Sequence, residues 1–330
     1  MLKKIVLAGF IASSSALAAL NGAGASFPAP AYVAWAYDYE KASKEQINYQ
    51  SIGSGGGIKQ ISSRVVDFGA SDEPLDTKKL DESKLLQIPT LVGAIVVAHN
   101  VAGVKDGDLR LKNEILADIF LGKITKWNDK KIAADNPNLK LPNAEIVVVR
   151  RSDGSGTTFN FTAFLSLASG EWKEKFGVGK AVDWAVGIGA KGNEGIAAMV
   201  AQTPNSIGYL ENAYALKNNL PRTVLTTKSG KWVSAENENV KAAIAKAKWS
   251  KSDHFYQSLI LQDGDNSYPL AAPTFLLLAK ETTETNKKVS AFVKWAFDKG
   301  DQAIIDLGYI PLDDATKQLV LGYLSENKAR

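Results

Sequence analysis

Short apolar runs of strand length alternate with segments of helical period through most of this chain, and that alternation constrains the fold more than any other feature. Runs 91–98 and 271–279 are the longest apolar stretches. They are long enough for buried strands and well short of the ~18 residues that a membrane-spanning helix needs. Strands separated by helices predict an α/β protein with parallel or mixed sheets. The pattern predicts helices over 28–44, 55–64, 113–121, from 156 onward, 195–202, 284–297 and 315–324, and strands over 46–51, 65–70, 91–99, 145–151, 206–209 and 272–279. Turn-forming residues at Gly103 and Asp106-Gly107, and again at Gln262-Asp263-Gly264-Asp265-Asn266-Ser267, mark two crossings between domains. Residues 19–100 and 267–330 then form a discontinuous first domain, and residues 101–266 form the second.

At 330 residues the chain has ample apolar content for sizeable cores. Residues 1–18 combine Lys3 and Lys4, an apolar run over 5–11 and the small-residue ending Ala16-Leu17-Ala18. This is the arrangement of a secretory signal peptide cleaved after Ala18, with Ala19 as the alternative. No cysteine stands there to carry a lipid anchor. Removing the segment lowers the formal net charge from +4 to +2, a near balance without the basic excess that marks nucleic-acid binding. With zero cysteines, an exported chain draws its stability from the core rather than from disulfides, and zinc or iron–sulfur sites lose their usual ligands. Of the two histidines, His99 reads as a packed or capping side chain at a strand end, and His254, among Ser252, Asp253 and Gln257, as a surface residue.

Three helix starts carry the chemistry. In Val148-Val149-Arg150-Arg151-Ser152-Asp153-Gly154-Ser155-Gly156-Thr157-Thr158-Phe159 an apolar strand ends in fixed cations and a helix opens on small hydroxyl and glycine residues. The first turn of a helix has unpaired N–H groups and a partial positive charge. Gly156 and Thr157 can therefore offer backbone donors to an anion, Ser155 and Thr157 hydroxyls, and Arg151 a formal charge. A second start, Gly22-Ala23-Gly24-Ala25-Ser26-Phe27-Pro28, places Ser26 to cap the helix and exposes the N–H groups of Ser26 and Phe27. The third, Gly53-Ser54-Gly55-Gly56-Gly57-Ile58-Lys59-Gln60, permits a tight turn and close approach to a ligand. None ends in the Gly-Lys-Ser/Thr of a nucleotide-hydrolysing P-loop. Gly187-Ile188-Gly189-Ala190-Lys191-Gly192 matches G-x-G-x-x-G, with Glu211 about twenty residues on. It lies too deep in the chain for an opening dinucleotide unit, and Lys191-Gly192-Asn193-Glu194-Gly195 reads more simply as a turn and helix cap.

One acid belongs with these donors. Asp72 follows the predicted strand 65–70, where taken alone it is equally a turn or capping residue. Beside an anion seat it makes sense if the anion carries a proton, because phosphate near neutral pH can donate a hydrogen bond to a carboxylate and sulfate cannot.

These segments together resemble the periplasmic phosphate-binding proteins that serve high-affinity ABC-type phosphate importers. The resemblance runs through 22–30, 48–75, 119–124 with Trp127, 148–159, 189–198 and 207–209. It implies a two-domain type II periplasmic-binding-protein (flytrap) fold with two crossings between domains and phosphate in the cleft. Carried over by position, it assigns phosphate contacts to Ser26, Phe27, Ser54, Asp72, Arg151, Ser155, Gly156 and Thr157, with Asp153 pairing the arginine. The implied protein is a monomeric periplasmic receptor, not an enzyme, without metal or cofactor, whose partners are inorganic phosphate and the membrane permease subunits of an importer. Ser26 stands where a threonine is often found. Gly55 replaces a serine, which leaves any side-chain contact from that position in doubt.

Two rival readings use the same residues. A secreted phosphohydrolase would take Ser155 as nucleophile and Arg151 as clamp, yet no histidine or metal-ligand cluster stands near in sequence to activate the serine. A sulfate or molybdate receptor of the same fold is the other, and Asp72 is the residue that discriminates.

Overall fold

The computed structural model describes residues 19–327; residues 1–18, which hold the expected signal peptide, and 328–330 lie outside the described residues. The strands in chain order are β1 (Leu20–Gly24), β2 (Ile47–Ser51), β3 (Phe68–Ser71), β4 (Leu85–His99), β5 (Val147–Arg151), β6 (Ile188–Ala190), β7 (Ser206–Glu211), β8 (Leu225–Thr226), β9 (Trp232–Val233), β10 (Ala271–Ala279) and β11 (Ile310–Pro311). Strands β8 and β9 pair with each other, and the rest form one mixed sheet in the order β2-β1-β3-β10-β4-β7-β5-β6, with β11 also on β4.

That order contains two parallel triplets, β2-β1-β3 and β7-β5-β6. Between them β10 is antiparallel to both β3 and β4, and β4 is antiparallel to β7. The first triplet therefore points along β4 toward the second, and the second points back. Their carboxyl ends face each other across the middle of the molecule, the edge at which open α/β sheets collect ligands.

Strand β4 joins the two halves. Residues 85–94 pair with β10 and residues 95–99 pair with β7, so the chain changes halves between Ala94 and Ile95. It returns at Leu270, which bridges to Ile260 and accepts the Ile95 N–H at 2.9 Å, and Ala271, which pairs with Ala94. The strand expected from residue 91 starts at Leu85 because Gln87, Pro89 and Thr90 disguise its beginning. The Gln87 amide is buried and bonded to Leu75 N, Leu75 O and His254 O. A register shift at Thr274/Phe275 makes β10 skip Thr90, and this bulge absorbs Pro89, which has no N–H to give the ladder.

Strand β1 was not expected at all, since Leu-Asn-Gly-Ala-Gly lacks β-branched and aromatic residues. Its glycines are required by close packing rather than by propensity: a Cβ at Gly24 would stand 2.2 Å from Ala70 O. The strand expected over 65–70 begins at Phe68, because Arg64 turns the chain with φ 58°. The helix expected from 195 begins at Gly192. In the second half, helix Gly156–Ala168 is held against β7 by Phe161, whose ring stacks on Tyr209 at 4.1 Å between centroids and 10° between planes. That contact sets the helix N-terminus at the carboxyl edge of the sheet.

Candidate functional site

Arg151, the last residue of β5, is buried at 3% exposure. Its guanidinium donates to both Asp153 oxygens, Nε to Oδ1 at 2.7 Å and Nη2 to Oδ2 at 2.6 Å, while Nη1 reaches Thr157 Oγ1 at 3.4 Å. The bidentate fork holds the guanidinium plane and neutralises much of its charge. Burial pushes the Asp153 carboxyl up, but the Arg151 fork and the Gly192 N–H outweigh it and hold the group below the usual carboxylate range. The Arg151 N–H donates to the Tyr209 hydroxyl at 3.2 Å, and that hydroxyl lies 2.6 Å from Thr158 Oγ1.

Just beyond, Ser155 caps helix Gly156–Ala168 by accepting the Thr158 N–H at 3.0 Å. The Gly156 N–H donates across the junction to Ser54 Oγ at 3.0 Å, and the Asp72 N–H donates to the same oxygen at 3.3 Å. At Gly156 the halves touch closely, since a Cβ there would stand 2.6 Å from Ser54 Oγ and 2.7 Å from Asp72 Cβ. Gly55, next to Ser54, donates its N–H to Gly154 O at 2.9 Å. The expected loss of a side-chain contact at Gly55 thus leaves a backbone contact between the halves.

Asp72 follows β3 and is buried at 1% exposure. Its Oδ1 accepts the Thr274 hydroxyl at 2.8 Å, and its carbonyl accepts the Asn160 amide at 2.8 Å. Burial pushes its pKa up to about 7, against the opposing pull of the Thr274 hydroxyl and the Arg151 charge. A carboxyl poised near neutrality can accept a hydrogen bond or share a proton with a protonated oxyanion.

Ser26 and Phe27 follow β1. Ser26 does not cap the helix behind it, contrary to expectation; the N-cap of Ala29–Ser43 is Pro28, without a side-chain bond. Ser26 Oγ instead accepts Asn193 N at 3.0 Å and Asn193 Nδ2 at 2.9 Å. Competition from a buried amide on the other half draws the hydroxyl away from the helix end. The Phe27 carbonyl accepts the Tyr309 hydroxyl at 2.6 Å, and its ring packs over Gly93. Thr157 Oγ1 also accepts Asn193 Nδ2 at 3.3 Å.

The expected residues thus lie on one junction, linked as Ser26–Asn193–Thr157–Arg151–Asp153 and as Ser54–Gly156 with Ser54–Asp72. Phe27 adjoins them as the chain neighbour of Ser26, its carbonyl bonded to Tyr309 of the same half, and the Ser155 side chain serves its own helix. Further ties across the junction are Lys180 to Glu73 at 3.1 Å and Ser51 to Glu194 at 3.2 Å. Asn193, Asn160 and Thr274 are not among the site residues expected from the sequence. A signal existed for each: Thr274 is the lone hydroxyl in a fully buried strand, Asn160 the lone amide between Phe159 and Phe161, and Asn193 follows the glycine that opens its helix.

His99, 0% exposed, packs its ring against Trp127 at the end of β4, and burial lowers its pKa to about 4. His254 is half-buried, with Nδ1 2.7 Å from the Tyr323 hydroxyl. Neither ring bonds to Ser155. Among the described residues, no group of three or more His, Cys, Asp or Glu side chains could hold a metal ion, and no helix is long and apolar enough to cross a membrane.

A profile of the PBP superfamily domain matches residues 12–299. The phosphate-binding protein PstS of Haemophilus influenzae is 48% identical over 295 residues, covering 89% of this chain and 88% of that protein. Among solved structures, a high-affinity periplasmic phosphate-binding protein, PfluDING, bound with phosphate, superposes with a TM-score of 0.75 at 22% identity, covering 92% of this chain and 93% of that one. A phosphate ABC transporter substrate-binding protein from Clostridium perfringens, described as putative and with bound phosphate, gives 0.66 at 22% identity, covering 90% and 100%. With the two facing triplets these likenesses establish the two-lobed α/β fold, and the chain belongs to the phosphate-binding protein family of the PBP superfamily.

Proposed function

We propose that the protein is a periplasmic receptor that captures inorganic phosphate at the junction of its two halves and presents the closed form to the permease subunits of an ABC-type importer. The observation that carries this reading is one buried carboxyl, Asp72, set among hydroxyl and N–H donors beside a half-neutralised arginine. Donors meet the oxyanion, and Asp72 accepts the proton that phosphate has and sulfate lacks. Ser26, Phe27, Ser54, Asp72, Arg151, Ser155, Gly156 and Thr157 are the assigned contacts, with Asp153 moderating Arg151. The two halves act as domains, 19–100 with 267–330 and 101–266. The changes of half at 94/95 and 270/271 lie a few residues to the first-domain side of those boundaries and serve as the hinge. Residues 1–18 direct export and are removed on translocation, and the working form is a monomer.

The protein performs no bond chemistry. The Ser155 hydroxyl is engaged in capping its helix and has no histidine base bonded to it, so a hydrolase would lack an activated nucleophile. The test is a calorimetric titration of ligand-stripped protein with phosphate, sulfate and arsenate, paired with an assay on a chromogenic phosphate ester. One phosphate site, far weaker sulfate binding and no ester turnover are expected. No heat and no thermal stabilisation at millimolar phosphate refutes the proposal.

A further inference from the structure

Taking this junction as the phosphate site, we infer that Asn193 is a positioning residue that turns the hydroxyls of Ser26 and Thr157 into obligate donors toward the anion, and that it completes this task only when the halves are together. Asn193 is fully buried, at 0% exposure, on helix Gly192–Gln202 of the second half. Its amide has one possible orientation. Oδ1 accepts the Glu211 N–H at 3.0 Å, which directs Nδ2 the other way, to Ser26 Oγ at 2.9 Å and Thr157 Oγ1 at 3.3 Å.

A hydroxyl oxygen has two lone pairs and one proton to give. Ser26 Oγ receives both the backbone N–H and the amide of Asn193, so its lone pairs are occupied and only its proton is left to offer. Thr157 Oγ1 receives Asn193 Nδ2 and Arg151 Nη1, both at the long end of hydrogen-bond range, with the same outcome. A hydroxyl held in this state can only donate to an oxyanion. A freely turning one can present a lone pair, which repels an unprotonated phosphate oxygen or competes with Asp72 for a ligand proton. Thr157 and Asn193 lie in the same half, whereas Ser26 comes from the other. One amide hydrogen is therefore satisfied within the lobe and the second only across the junction. Through that second bond, closure and the setting of the donors become a single event.

The experiment compares phosphate titrations of wild type, Asn193→Ala, a Ser26→Ala/Thr157→Val variant and the combination of all three. Asn193→Ala is expected to weaken phosphate binding roughly ten- to a hundredfold, and the loss of the acceptor for the Glu211 N–H should lower ligand-free melting by the same amount with and without the two hydroxyls. In the background without the two hydroxyls the same change should cost less than about threefold, because nothing remains to be set. Should Asn193→Ala fail to fold, Asn193→Ser, which stays polar and adds no charge beside the anion, takes its place. Its cost is also expected to shrink when the hydroxyls are removed. Wild-type affinity in the single variant, or an equal loss in both backgrounds, overturns the inference. Absence of phosphate binding by wild type overturns the site itself and this inference with it.

Discussion

Replacing Gly156 with alanine tests whether phosphate is held by closure of the two halves. The added methyl would sit 2.6 Å from Ser54 Oγ, 2.7 Å from Asp72 Cβ and 2.7 Å from Asp72 N. Ordinary carbon contacts lie at about 3.5–4.0 Å, so relief needs a withdrawal of roughly 1 Å. Two of the three atoms belong to the Asp72 backbone or Cβ at the end of β3 and cannot rotate aside. All three come from the opposite half, so the halves must part. Parting gives up the bonds from Gly156 N to Ser54 Oγ and from Asn160 to the Asp72 carbonyl. Overpacking costs about 1–3 kcal/mol and each hydrogen bond about 0.5–1.5 kcal/mol. The sum, roughly 2–6 kcal/mol, corresponds to phosphate binding weaker by about 30-fold to 20,000-fold. Gly156 has no positive φ, so alanine does not strain its own helix, and ligand-free stability should hold or rise slightly. Calorimetric titration together with small-angle scattering at saturating phosphate reads both effects. A variant that binds within threefold of wild type and contracts to the same radius of gyration would show that this contact does not govern closure.

Other outcomes follow from the same geometry. Asp72→Asn should leave phosphate affinity nearly intact while improving sulfate binding above about pH 7, where the carboxyl is ionised: two like charges about 4 Å apart at an effective dielectric near 20 repel by roughly 4 kcal/mol, and the amide removes that term. An unchanged phosphate-to-sulfate ratio in competition titrations would count against Asp72 as the discriminator. The Asp72 carboxyl is raised from 3.8 to about 7 in the folded protein, so the native state holds its proton where the unfolded chain has released it. The associated penalty is absent below about pH 4, grows as pH rises and is complete above about pH 7, on the order of 4 kcal/mol. Wild type should therefore lose ligand-free stability relative to Asp72→Asn across that window, and a flat difference in melting temperature contradicts the raised pKa. Asp153→Asn leaves the Arg151 charge buried without its counterion, at a cost of roughly 3–5 kcal/mol. Saturating phosphate should raise the melting temperature of this variant more than that of wild type; an equal rise would mean that the anion does not neutralise Arg151. For wild type, scattering should give a smaller radius of gyration with phosphate than without, and an identical profile would contradict a hinge at 94/95 and 270/271.

The alternation of apolar runs and helical periods was enough to determine the α/β class, because burial on one face of a helix or both faces of a strand leaves its period in the chain. The helix start after Arg151 was legible for a similar reason: Ser155 caps through its own backbone neighbourhood, three residues from its partner. Asp72, Arg151 and the glycine turns could be named because an anion seat restricts residue types. What the chain alone did not reveal depends on pairs distant in sequence. Strand β1 exists because Gly24 lets the backbone approach Ala70, a property of packing that propensity does not record. Ser26 has the residue type of a cap, yet its hydroxyl goes to Asn193, 167 residues away, and Thr274 reaches Asp72 across 202 residues. The first of these bonds joins the two halves, and the second joins distant segments of the first half. They arise only once the antiparallel placement of β4 between β10 and β7 turns the two parallel triplets to face each other, because the site's polar groups are then buried together and each must find its partner there.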